Sequence, residues 1–98
     1  MASGDDIIRE HRRLTVLRLL TAEPQYSLND SILHDLLGQF RFTASRDVVR
    51  GDLAWLAAQG LVRTETLETL TIATLTELGG DVAAGRATVP GVKRPSPK

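Results

Sequence analysis

Ninety-eight residues make one small domain, and because hydrophobic residues form 42% of the chain with only one Trp, one Tyr and two Phe among them, the core must be aliphatic, as suits a mainly helical domain. The absence of cysteine excludes a disulfide framework, a thiolate metal site and a cysteine nucleophile, and fits a reducing compartment. Net charge is zero, yet residues 86 to 98 hold Arg86, Lys93, Arg94 and Lys98 with no acid, leaving 8 basic against 12 acidic residues before them; a mildly acidic body disfavours strong non-specific binding to nucleic acid.

The start, MASGDDIIREHRR, has no apolar leader core, and no stretch approaches the roughly 18 apolar residues of a membrane span, so a soluble cytoplasmic protein is expected. Residues 5 to 22 are rich in helix formers, begin with Asp5 and Asp6 and stop before Pro24, which predicts a first helix. Its second half is apolar all round through Leu14, Val16, Leu17, Leu19 and Leu20. Such an end is either buried in its own core or covered by a partner, and Val16 and Leu20 are candidates for a homodimer contact through this helix.

A short strand is expected at Tyr26 to Leu28, then a second helix over about Asp30 to Leu37, capped by Asn29 or Ser27 and ended by Gly38. Ser45 is a good cap for a third helix running to about Gln59 and closed by Gly60. From Leu61 the pattern becomes dense in Thr, Val, Ile and Leu, which predicts a hairpin of two strands, Leu61 to Thr66 and Leu70 to Leu75. Thr76 then caps a short final helix containing Gly79 and Gly80. Residues 86 to 98, with three prolines and four basic residues, read as a flexible basic arm outside a domain of residues 1 to 85.

The order helix, short strand, helix, helix, hairpin, helix is that of a winged helix-turn-helix, mainly α with a small β-hairpin wing, in which the third helix faces the major groove. The stretch SRDVVRGDLAWLAAQGLV, a hairpin and TELGGDVAAG together resemble winged-helix repressors of the ArsR and MarR type. The whole chain, including YSLNDSILHDLL and ATVPGVKRPSPK, resembles a family of small winged-helix proteins of Mu-like bacteriophages and prophages. That resemblance implies double-stranded DNA as partner, a regulatory role and the bacterial host cytoplasm as location. The cysteine pair typical of metal-sensing ArsR proteins is absent, so metal sensing is not carried over. His11 and His34 are the only histidines and stand far apart in the chain, so neither a metal site nor a cofactor is expected.

On the third helix, Val49, Leu53 and Leu56 form the buried stripe at about 100° per residue. The opposite side carries Asp47, Gly51, Ala54 and Ala58, flanked by Arg50 on one edge and by Val48 and Trp55 on the other. Base reading wants Arg, Lys, Asn or Gln near the helix start, and only Arg46 and Arg50 qualify; Arg50 is the better placed. Both have an alternative as surface residues paired with Asp47, Asp52 or another helix. Thr43 and Ser45 are candidate phosphate donors, Arg41 and Arg63 candidate phosphate contacts, and Lys93 and Arg94 would act from the arm. The wing tip carries Glu65 and Glu68 against Arg63, which repels phosphate. A second reading therefore stands beside DNA binding: a protein-interaction module in phage assembly or DNA packaging, presenting the small-residue face of Gly51, Ala54 and Ala58, Trp55 or the first helix to a phage protein, with partial burial in the core as the alternative for Trp55. No catalytic constellation is legible, so a non-enzyme is expected.

Overall fold

Chain order and hydrogen-bonding chemistry fix most of the architecture. The computed structural model describes residues 3–96. The first helix, α1 (Gly4–Thr21), starts at a capping box in which Asp6 N–H donates to Ser3 Oγ and Ser3 N–H donates to Asp6 Oδ2, satisfying two amides that no helical carbonyl reaches. A three-residue strand β1 (Ser27–Asn29) leads into α2 (Asp30–Gln39), capped by the Asn29 side chain. After a loop, α3 (Arg46–Ala58) is capped by Ser45, and Gly60 at φ +78 turns the chain into β2 (Val62–Leu67). β3 (Leu70–Leu75) and α4 (Glu77–Ala84), capped by Thr76, follow.

The sheet order is β1-β3-β2, antiparallel throughout, with Ala73 opposite both Leu28 and Thr64. The winged-helix order expected from the sequence is thus present, with the short strand shifted by one residue and joined to the hairpin as a third strand.

The core draws Leu14, Val16, Leu17 and Leu20 from α1, Leu33 and Leu37 from α2, Val49, Leu53 and Leu56 from α3, Leu61, Val62 and Ala73 from the sheet region, and Val82 and Ala83 from α4. Val16 and Leu20 are fully buried there, which corrects their assignment to a homodimer contact. α1 packs against α2, β3 and α4 at once, so the apolar girth of its second half is consumed within the chain.

Gly79 has a packing reason. A Cβ there would lie 2.0 Å from the Leu61 carbonyl oxygen, so α4 meets the start of the wing backbone to backbone. Thr76 reinforces the junction: its amide donates to Leu61 O at 3.1 Å and its hydroxyl to Gly60 O at 2.7 Å.

The segment after α4 departs from the flexible arm expected of it. Val92 is buried, Lys93 N–H donates to Glu10 O at 3.1 Å, and Gly91 O accepts from Arg13 Nη1 at 3.2 Å. Val89, Ala87 and Val92 supply the apolar contacts that hold this segment against the core, so the domain extends past residue 85. Lys98 lies outside the described residues.

Candidate nucleic-acid interface

The N-terminal end of α3 is exposed, and the loop before it supplies polar side chains. Arg41, at φ +70, and Thr43 are exposed in this loop; backbone bonds from Arg41 N–H to Gly38 O and from Phe42 N–H to Leu37 O hold its conformation. Ser45 Oγ accepts from Val48 N–H at 3.2 Å, so its hydroxyl caps the helix. Among these residues Arg41 and Thr43 remain turned toward solvent.

Arg50 and Arg46, the two candidate base readers, converge on Asp30, the first residue of α2. Asp30 is fully buried. Its Oδ2 accepts from Arg50 Nε at 2.6 Å and lies 3.4 Å from Arg46 Nε, while Oδ1 accepts from Thr71 N–H at 3.0 Å. Burial pushes this carboxyl up, but the hydrogen bond from Arg50, the Thr71 amide and Arg46 together outweigh it and hold it below the ordinary Asp value. Arg50 also donates through Nη2 to Thr69 O at 3.2 Å in the wing turn, and through Nη1 to Asp47 at 3.5 Å. One guanidinium thereby ties the middle of α3 to α2 and to the wing.

The outward face of α3 is the one the helical period indicates. Asp47, Val48, Gly51, Ala54 and Ala58 are exposed, Val48 at 43%, and a Cβ at Gly51 would meet nothing within 4 Å. This face is small, apolar and carries one acid.

Its neighbouring edge is closed off. Asp52 is buried and accepts from Arg12 Nε and Nη2 and from Arg13 Nε at 3.1 Å, joining α1 to α3. The Arg13 guanidinium stacks 4.0 Å above the Trp55 ring, a cation–π contact, and Gly91 passes so close to that ring that a Cβ would approach Trp55 Cη2 and Cζ2 at 2.6 Å. Trp55 is therefore half-buried under the C-terminal segment, the alternative expected for it, and is less open to a partner than Gly51, Ala54 and Ala58.

In the wing, Arg63 pairs with Thr74 on one sheet face and is exposed, as are Glu65 and Glu68. Neither Arg41 nor Arg63 joins an ion pair among the described residues.

No family model matches the chain. It is 50% identical over 94 residues to the protein gp26 of Escherichia phage Mu, covering 96% of this chain and 97% of that one. The chain belongs to the gp26 family of Mu-like phages. A Haemophilus influenzae protein is 42% identical to it over 66 residues, covering 67% of this chain and 64% of that one. A solved MarR family transcriptional regulator from Streptomyces coelicolor superimposes with a TM-score of 0.61 at 26% identity, over 74% of this chain. The gp26-family chain spans about half that regulator, 47% of its length, so the likeness covers a winged-helix domain and not the whole regulator.

Several features of this gp26-family domain went unread in its sequence. Asp30 reads as a helix start, yet it stands three and seven residues before Leu33 and Leu37, the buried positions of α2, and so shares their face. Asp52 sits 60° or less from Val49 and Leu56 on the helical wheel, a position that signals burial and hence a cationic partner. Between α1, the Tyr26 turn and α4 there is also an open cavity of about 580 Å³ lined by Arg18, Tyr26, Glu77, Asp81 and Arg86 among others; it takes no residue from α3. Among the described residues, no group of three His, Cys, Asp or Glu side chains stands close enough to hold a metal ion, and no helix is long and apolar enough to cross a membrane.

Proposed function

We propose that the chain is a DNA-binding transcriptional regulator of phage or prophage origin, acting in the host cytoplasm with α3 in the major groove of double-stranded DNA. The observation that carries this reading is the exposed N-terminal half of α3, with the wing clamped beside it by Arg50 through Asp30 and Thr69. The likeness to a MarR family transcriptional regulator supports it. Arg41, Arg63 and Thr43 serve as phosphate contacts, and Arg46 and Arg50 contribute charge from side chains that are 39% exposed. Lys93 and Arg94 add positive charge from a docked strap. For a homodimer, α1 offers Ile7 and Ile8, exposed at 50% and 52%, in place of Val16 and Leu20.

The test is a titration of the full chain against fragments of the phage genome at about 50 and 200 mM salt. Arg41→Ala and Arg63→Ala should each weaken binding across all sequences and flatten the salt dependence by about one counterion. No measurable binding at the lower salt would remove the DNA reading.

One observation favours a second reading, a protein-interaction module in phage assembly or packaging. The wing exposes Glu65 and Glu68 beside Arg63, and the α3 face is apolar and small. Recovery of one phage protein on the intact chain, lost on Ala54→Arg, together with absent DNA binding, would establish it instead.

A further inference from the structure

Resting on the DNA-binding reading above, we propose that α3 reads thymine methyl groups by apolar contact, and that guanine recognition by arginine plays no part in its specificity.

The better-placed of the two arginines that could read guanine is already engaged. Arg50 has Nε on Asp30, Nη1 toward Asp47 and Nη2 on Thr69 O, so a bidentate approach to guanine O6 and N7 would require it to leave a buried carboxylate and the wing carbonyl together. Arg46 points its Nε toward the same carboxylate at 3.4 Å, and that nitrogen is buried with no hydrogen-bond partner; the charge of Asp30 draws this guanidinium back toward α2 as well.

What remains toward the groove is Val48 in the first turn, Gly51 and Ala54 behind it, Ala58 in the last turn, and Asp47 with a side chain 93% exposed. None of these donates a hydrogen bond from its side chain. Methyl and methylene groups are the complement of the thymine C5-methyl, and a carboxylate accepts from cytosine N4 or adenine N6 while repelling the acceptor edge of guanine. No exposed side chain on this face is longer than valine or aspartate, so the helix backbone can come close to the groove floor. Open space around Gly51 lets the nearest base pair approach there without displacing protein atoms. The site that matches is rich in A·T steps, with a thymine methyl seated against Val48 and Ala54.

The experiment separates methyl contact from hydrogen bonding. A randomised pool of 20-base-pair duplexes is enriched on the full chain at low salt, and the enriched sequences are resynthesised with deoxyuridine for thymidine, which deletes the methyl and keeps every hydrogen-bonding group. The expected result is a T-rich consensus whose binding falls about fourfold for each contacted thymine converted, the value of one buried methyl. Val48→Ala, a change at an exposed position that leaves the fold intact by circular dichroism, should weaken the thymine duplex by about the same factor. It should also make binding insensitive to deoxyuridine at one step, since the two losses report one contact. A consensus with a required guanine and equal binding of the deoxyuridine duplex would overturn methyl reading while leaving DNA binding in place. No enrichment would overturn both.

Discussion

Arg50 Nε lies 2.6 Å from Oδ2 of the fully buried Asp30. The helix expected to read DNA is thus fastened, through its best-placed arginine, to the helix before it and to the wing. A winged helix needs α3 and the hairpin in a fixed relation if both are to meet one duplex, and this side chain supplies that relation.

Replacing Asp30 by Asn keeps its shape but leaves Arg50 and Arg46 without their counter-charge. Stability should fall by about 2 kcal/mol, the scale of a hydrogen bond to a charged group, read as a lower urea midpoint with an unchanged slope. The same carboxyl gives the domain an acid dependence. Because the folded state holds Asp30 below its ordinary value, its stabilising contribution is fully present above about pH 4 and is lost as pH falls through the lower folded value. Asp30→Asn should flatten this part of the stability profile, and a profile identical to that of the parent would contradict the assignment.

Asp52 should prove costlier to remove. It is almost wholly buried and serves Arg12 and Arg13 at once, so Asp52→Ala strands two cations and should lose about 3 to 5 kcal/mol. Pairing Asp52→Leu with Arg12→Met should recover part of that loss, because the buried carboxylate and the more buried of its two cations disappear together. Thermal melts of the single and double variants, compared as a cycle, test this.

Two glycines should respond in opposite directions to alanine. At Gly51 the added methyl meets open space in the middle of a helix, and stability should rise by about 1 kcal/mol. At Gly79 it would meet the Leu61 carbonyl oxygen at 2.0 Å, and α4 must then separate from the wing, at a cost of about 3 kcal/mol. Denaturant unfolding of the two variants decides both signs.

Ending the chain at Pro90 should uncover Trp55. The cut removes Val92 from the core and the Gly91 carbonyl from Arg13, so the Trp55 emission should shift to longer wavelength and stability should drop by about 2 kcal/mol, the value of burying a Val side chain. Unchanged emission would show that residues 91 to 96 do not cover the ring in solution.

The architecture was legible in the sequence because its signals are local: Ser45 as a cap, Gly60 past the helix end, the Val49, Leu53, Leu56 stripe, and the change of period at Leu61. The exposed side of α3 followed from the same periodicity. What stayed hidden depends on which distant groups meet. Nothing near Arg50 in the chain marks Asp30, 20 residues earlier, as its partner, and the docking of residues 86 to 94 rests on Val89 and Val92, two apolar residues in a stretch whose prolines and charges read as a loose arm. Val16 and Leu20 were ambiguous for the complementary reason: helical period shows that a face must be covered, and only the tertiary packing shows that α2, α4 and β3 cover it.

Whether the exposed half of α3 and the wing meet double-stranded DNA is decided by mapping backbone amide chemical shifts while the full chain is titrated with a T-rich duplex at low salt. Saturable shifts should concentrate at Arg41, Thr43, Asp47, Val48, Gly51 and Ala54 and in the wing from Arg63 to Thr69, with α4 unmoved. An absence of shifts at saturating duplex, or shifts confined to α1 and α4, would contradict it.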